Sequence, residues 1–89
     1  MSGIRPEQLE RKLRAAFAPT RLEVIDESEQ HRGHGGWREG GGTHYRVVMR
    51  AASFAGQSRI ARSRAVHAAL AEELAGGVHA LALDLDTPE

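Results

Sequence analysis

The 89-residue chain has no cysteine, one lysine, one tryptophan, one tyrosine and no excess charge of either sign. Each shortage excludes something. Without cysteine there is no disulfide, no thiol nucleophile and no iron–sulfur cluster held by the chain's own thiolates. Any metal must be met by histidine or carboxylate, or shared with a partner. Twelve cations balance twelve anions, which argues against a protein held to nucleic acid chiefly by bulk charge. No apolar run approaches the ~20 residues of a membrane span. The N-terminal stretch MSGIRPEQLERKL has no apolar h-region, so the expected compartment is the cytoplasm, with no membrane partner.

What remains is an ordinary globular composition, 40% hydrophobic and 27% charged, enough for one domain over residues 1–89. Eleven of the twelve cations are arginine. Arginine suits planar, bidentate partners such as carboxylate and phosphate, although a compositional bias explains the same excess.

Periodicity gives the elements. Pro6 suits the first helical position, Glu7 the positive helix start, and Leu9, Leu13, Ala16 and Phe17 recur as one apolar stripe. Pro19 ends that helix. Thr20 to Asp26 alternates as a half-buried strand through Leu22 and Val24. His44 to Ala51 is a second strand, with Tyr45, Val47 and Met49 on one face and His44, Arg46, Val48 and Arg50 on the other. Ser58 is the expected N-cap of a helix carrying Val66, Leu70 and Leu74, with Arg59 to Arg64 open to forming a separate turn ahead of it. Gly76 and Gly77 close that helix. Val78 to Leu85 is a third strand, in which Leu81, Leu83 and Leu85 share a face with His79. Asp84, Asp86 and Glu89 read as a solvated terminus. The order α–β–β–α–β implies an α+β domain: a three-stranded mixed sheet, its first two strands antiparallel, its third joined by a crossover, with helices on one face.

Between the first two strands, residues 29–43 form a long glycine-rich loop, expected to be flexible, that contains His31, His34 and Trp37. It has neither GxGxxG nor GxxxxGK[ST], so phosphate binding is not its chemistry. A zinc site from His31, His34 and His79 is open as a reading, but it lacks a fourth ligand and a helical frame. On the residues alone, His31 and His34 are solvated loop histidines, His79 a locally hydrogen-bonded histidine at a strand start, His44 a structural strand residue and His67 a helix residue. No nucleophile–base pair stands out, so an enzyme is not expected.

The stretches KLRAAF with Pro19 behind it, LEVIDES at 22–28, THYRV at 43–47, FAG at 54–56, RSR at 62–64, LAEEL, and VHALAL at 78–83 occur in an order and spacing that resemble the BolA family over about residues 9 to 87. The resemblance implies an α–β–β–α–β domain like the class II KH fold. It implies partnership with a monothiol glutaredoxin and a shared [2Fe–2S] cluster, the other ligands coming from glutaredoxin and glutathione, with no cofactor in the isolated protein. It assigns cluster ligation to His79 of VHAL and to a loop histidine, His31, with His34 of the HxGH pattern as the alternative. In such a site two imidazoles complete one iron, as in Rieske-type centres, and neutral imidazole in place of thiolate raises the reduction potential. The family's usual R-H-R triplet is R-S-R here, with Ser63 in the middle.

The resemblance equally implies a DNA-binding transcriptional regulator, and Arg59, Arg62 and Arg64 near a helix start are the residues that would meet phosphate. The GxxG of KH-type RNA binding is incomplete at Gly56–Arg59. A plainer reading has these arginines facing the acidic helix end at Glu72 and Glu73, or docking a partner protein. Self-association as a weak homodimer stays open.

Overall fold

The computed structural model describes residues 4–27 and 44–88. It runs α1 (Pro6–Phe17), β1 (Arg21–Asp26), β2 (His44–Arg50), a 3-10 turn (Ala52–Phe54), α2 (Arg59–Ala69), α3 (Ala71–Gly76) and β3 (Ala80–Asp86). The strand order is β1-β2-β3, with β1 antiparallel and β3 parallel to the central β2. This is the mixed α+β sheet that periodicity implies. The glycine-rich loop expected over residues 29–43 lies outside the described residues.

The register explains the core. Leu22, Met49 and Leu85 lie in one row across the sheet, Val24, Val47 and Leu83 in the next, and Asp26, Tyr45 and Leu81 in the third. Tyr45, Val47 and Met49 of β2 are buried, and Leu9 and Leu13 of α1, Val66 and Leu70 of α2, and Phe54 close over them. The Phe17 and Phe54 rings pack with centroids 5.3 Å apart. Each such side chain, fully removed from water, contributes about 1.5–3 kcal/mol. The opposite face of the sheet presents Arg21, Glu23, Arg46, Arg50 and Asp84, with Arg50 Nη1 3.2 Å from Asp84 Oδ1. Ala16, expected in the apolar stripe of α1, is exposed. It lies beyond the narrow strip that Leu9 and Leu13 bury.

The second helical region differs from its expected form. The turn at Arg59 to Arg64 is not separate: Ser58 Oγ accepts from the Ala61 N–H at 3.1 Å, and the helix runs unbroken to Ala69. The break comes at Leu70, which leaves helical geometry at φ −108°, ψ 22° while its side chain stays buried. The short α3 that follows carries Glu73 against α1. The Glu73 carboxylate is buried and takes Gln8 Nε2 at 2.7 Å and Lys12 Nζ at 2.8 Å. Lys12 also reaches Glu72 at 2.6 Å. The acidic helix end therefore meets the single lysine and not the arginines of α2. Gln8 and Lys12, four residues apart, flank the buried stripe of α1. Burial pushes the Glu73 carboxyl up, but Lys12, Gln8 and a backbone donor together hold it below its ordinary 4.5. The same contacts raise Lys12 above 10.5. Tyr45, whose hydroxyl donates to the Ile4 carbonyl at 2.7 Å, is pushed up to about 12, first by burial and then by Asp26 and Glu7.

Asp84 and Asp86, read from sequence as a solvated terminus, belong to β3 and pair with Arg50 and Arg62. No helix among the described residues is long and apolar enough to cross a membrane.

Two outcomes follow from this packing. The Glu73 carboxyl is more acidic folded than unfolded, so its contribution is present above pH 4.5 and lost as pH falls through the folded value. Melting temperature measured against pH should drop on the acid side of 4.5, and Glu73→Gln should flatten that drop; an unchanged acid limb would show that Glu73 is not its source. The second concerns Ala18, which ends α1 in the left-handed region at φ 47° with its N–H on the Arg14 carbonyl. That conformation costs a residue with a Cβ roughly 1–2 kcal/mol, and glycine's extra unfolded-state freedom takes back about 0.5–1. Ala18→Gly should therefore raise the urea midpoint by an amount worth about 0.5–1 kcal/mol.

Candidate functional site

One end of β3 is built around a turn. Gly77 closes α3 at φ +143°, a conformation that glycine adopts readily. The next residue, Val78, is buried, with its N–H on the Glu73 carbonyl at 3.0 Å. His79 follows immediately, exposed, and makes no hydrogen bond among the described residues. The parallel register pairs His44 with Ala80, so His79 stands one residue from the partner of His44. The two imidazole centroids are 5.5 Å apart, with their planes tilted by 54°.

His44 is only 5% exposed. Its carbonyl accepts the Glu27 N–H at 2.7 Å, which continues the β1–β2 ladder by one step. With Glu27, Arg46, Ala80 and Ala82 it lines a shallow depression of about 250 Å³. Glu27 is held there by Arg46, Nε to Oε2 at 2.8 Å, and this hydrogen bond raises the guanidinium above its ordinary pKa. His31 and His34, the loop histidines singled out from the sequence, lie outside the described residues. No three histidine, aspartate or glutamate side chains converge on one point among the described residues. Sequence reasoning set His44 aside as structural. Its nearness to His79 depends on the β2–β3 register, which no local motif encodes.

The arginines stand at the other end of β3. Seven residues of strand, at about 3.3 Å each, put that end roughly 20 Å from His79. A groove of about 830 Å³ runs between the start of α2 and β3, lined by Arg59, Ile60, Arg62, Ser63, Leu83 and Leu85 among others. Arg59 and Ile60 are exposed, Ile60 by 63%. Arg62 is committed to the fold: Nη1 donates to the Leu85 carbonyl at 3.3 Å and to Asp86 Oδ1 at 3.2 Å, and the guanidinium lies 5.8 Å from the Phe54 ring centroid. Its Nε is buried without a partner among the described residues. Asp86 sits below its ordinary pKa, held first by the Thr87 N–H and then by Arg62. At about 100° per residue, Arg64 points away from both Arg59 and Arg62 and is absent from the groove. The structure thus brings two of the three predicted arginines together and leaves the third on another face.

A family model described as BolA-like protein matches residues 13–89. The DNA-binding transcriptional regulator BolA of Escherichia coli K12 is 46% identical over 77 residues, covering 86% of this chain and 70% of its own. Human BolA-like protein 1 is 47% identical over 77 residues, covering 86% of this chain and 53% of that longer protein. Among solved structures, the BolA domain of SufE1 from Arabidopsis thaliana superposes with a TM-score of 0.86 at 35% identity, covering 99% of this chain and 96% of that one. BolA1 from Mus musculus gives 0.77 at 36% identity over 99% and 72%. The family model, the relatives and the superposed folds all agree, and the chain belongs to the BolA-like protein family.

Proposed function

We propose that this BolA-like protein is a binding adaptor, not a catalyst, that docks a monothiol glutaredoxin and shares a [2Fe–2S] cluster with it in iron–sulfur trafficking or iron regulation. The observation that carries the reading is His79: an exposed imidazole, free of hydrogen bonds among the described residues, held at the rim of a rigid strand. A ligand for a partner's metal needs an accessible nitrogen and a fixed backbone. Val78, buried beneath it, and Gly77, turning the chain, supply the second requirement.

In this role the chain gives neutral imidazoles and the partner gives thiolates. His79 is one donor, and His31 or His34 of the glycine-rich loop is the other. The cluster is cargo held between two proteins, and imidazole at one iron lowers its net negative charge and raises its potential.

A second reading has support from the groove at the far end of β3. Exposed Arg59 beside Ile60, and the name of the Escherichia coli relative, suit a DNA-binding regulator. There Arg59 meets phosphate, while Arg62 holds the groove in shape and Arg64 stands on another face of the helix.

Two measurements test these readings. Titrating the protein into a cluster-loaded monothiol glutaredoxin should produce a new visible circular dichroism spectrum. His79→Ala should abolish it with the fold intact, as should either His31→Ala or His34→Ala. An unchanged spectrum for all variants would remove the cluster role with that partner. For the second reading, the slope of log binding constant against log salt on promoter DNA should lose about 0.9 with Arg59→Ala, while Arg62→Ala should instead lower the melting temperature. Equal, weak binding to matched and scrambled DNA would end that reading.

A further inference from the structure

β3 is an outer strand, with β2 on one side and no strand on the other among the described residues. We infer that this outer edge, together with the groove beside α2, docks an extended segment of a partner protein, apolar in its middle and acidic at its end, which joins the sheet as a fourth strand. The inference uses neither His79 nor the loop histidines, so it stands apart from the cluster reading. It gives the groove a different occupant from the DNA of the second reading.

Backbone direction is the first support. The Ala51 N–H bonds the Asp86 carbonyl at 3.0 Å, so Asp86 turns its backbone groups toward β2. Alternate residues of a strand bond to the same neighbour, so Leu81, Leu83 and Leu85 turn theirs away from β2. Arg62 agrees with this sense, since it reaches the Leu85 carbonyl from the outer side. The N–H and C=O of Leu81 and Leu83, and the N–H of Leu85, are left for an added strand. The second support is room. A paired strand lies about 4.8 Å out, and the groove of about 830 Å³ follows this margin on both faces. Ile60 and Ser63 of α2 line it on the covered side, Arg46 and Asp84 on the open side.

Side chains give the occupant its chemistry. Val47 and Met49 of β2 are fully buried, whereas Leu83 and Leu85 of β3 are half-buried and Ile60 stands exposed above them. Apolar residues on the covered side of an added strand would complete that burial. Charge sets the end. In the groove, Arg46 is held by Glu27, Asp84 by Arg50, and Arg62 and Asp86 by one another. Arg59, the first residue of α2, is the one charged lining residue without a partner among the described residues. A carboxylate on the incoming segment would pair with it, and an ammonium would be repelled. Main-chain bonds to the edge supply affinity in such docking, and the side-chain positions supply the choice of partner.

The test adds capped peptides to the intact protein and follows the backbone amides by NMR. The probes are EVTVE and its lysine counterpart KVTVK, whose matched ends put the same charge beside Arg59 whichever way the strand runs. With EVTVE the amides of Leu81, Leu83 and Leu85 should shift and exchange more slowly, while those of Ala82 and Asp84, already in the β2–β3 ladder, change little. KVTVK should bind more weakly. Arg59→Ala, a change at an exposed position, should weaken EVTVE about 2- to 5-fold without weakening KVTVK. Of two EVTVE peptides N-methylated on alternate amides, one should still bind and the other should not, which a merely apolar contact would not produce. Outward amides of β3 that stay unmoved at millimolar EVTVE overturn the inference. So do equal binding of the two N-methylated peptides, and equal binding of EVTVE and KVTVK. A promoter duplex that moves the groove residues when EVTVE does not gives the groove to DNA and overturns it as well.

Discussion

The central strand has no free edge, and most of the structure follows from that. β2 gives one edge to β1 and the other to β3, in opposite senses. The antiparallel side needs only a connection that reverses the chain. The parallel side needs a crossover, and α2 and α3 are that crossover. Their apolar sides then have only one place to go, the face on which Tyr45, Val47 and Met49 point. Placement of His79 is a by-product: the crossover must return the chain alongside the beginning of β2, and His44 is that beginning.

The two faces of the sheet solve different problems. The covered face is dry and holds its register through side-chain volume, because a shift of one residue would turn all three β2 anchors into solvent. The open face is held by charge. Arg50 reaches Asp84 across the parallel pair, and Arg46 reaches Glu27 at the end of the antiparallel one. Such exposed pairs add little free energy each. Glu73 is a different case. A buried carboxylate with one oxygen bonded to Gln8 and Lys12 and the other unpartnered among the described residues is costly to strip of its cation, which ties α3 to α1.

Much of this was legible from the chain. The stripe Leu9–Leu13, the alternation in Tyr45–Val47–Met49, the Ser58 cap and the glycines at 76 and 77 are local patterns, and local patterns report local structure. The family was legible from ordered short motifs. What escaped was whatever depends on two segments meeting. Glu73 looked like part of an acidic helix end facing the arginines, because nothing in LAEEL says that α1 will lie across it. Asp86 looked like a tail because its partner, Arg62, is 24 residues away. His44 looked structural because its distance to His79 is set by strand register. The helix break at Leu70 escaped for a related reason: leucine is a good helix former, and the tertiary need to bury it while α3 turns toward Lys12 overrides its preference.

Arg62 carries one more consequence. β3 lies at the margin of the sheet, and a strand there offers unpaired carbonyls and N–H groups to any other extended chain, including another copy of itself. By donating to the Leu85 carbonyl while holding Asp86, Arg62 occupies part of that row with a bulky, charged group. Arg62, which resembles a phosphate contact in the sequence, thus also covers part of the open margin of β3.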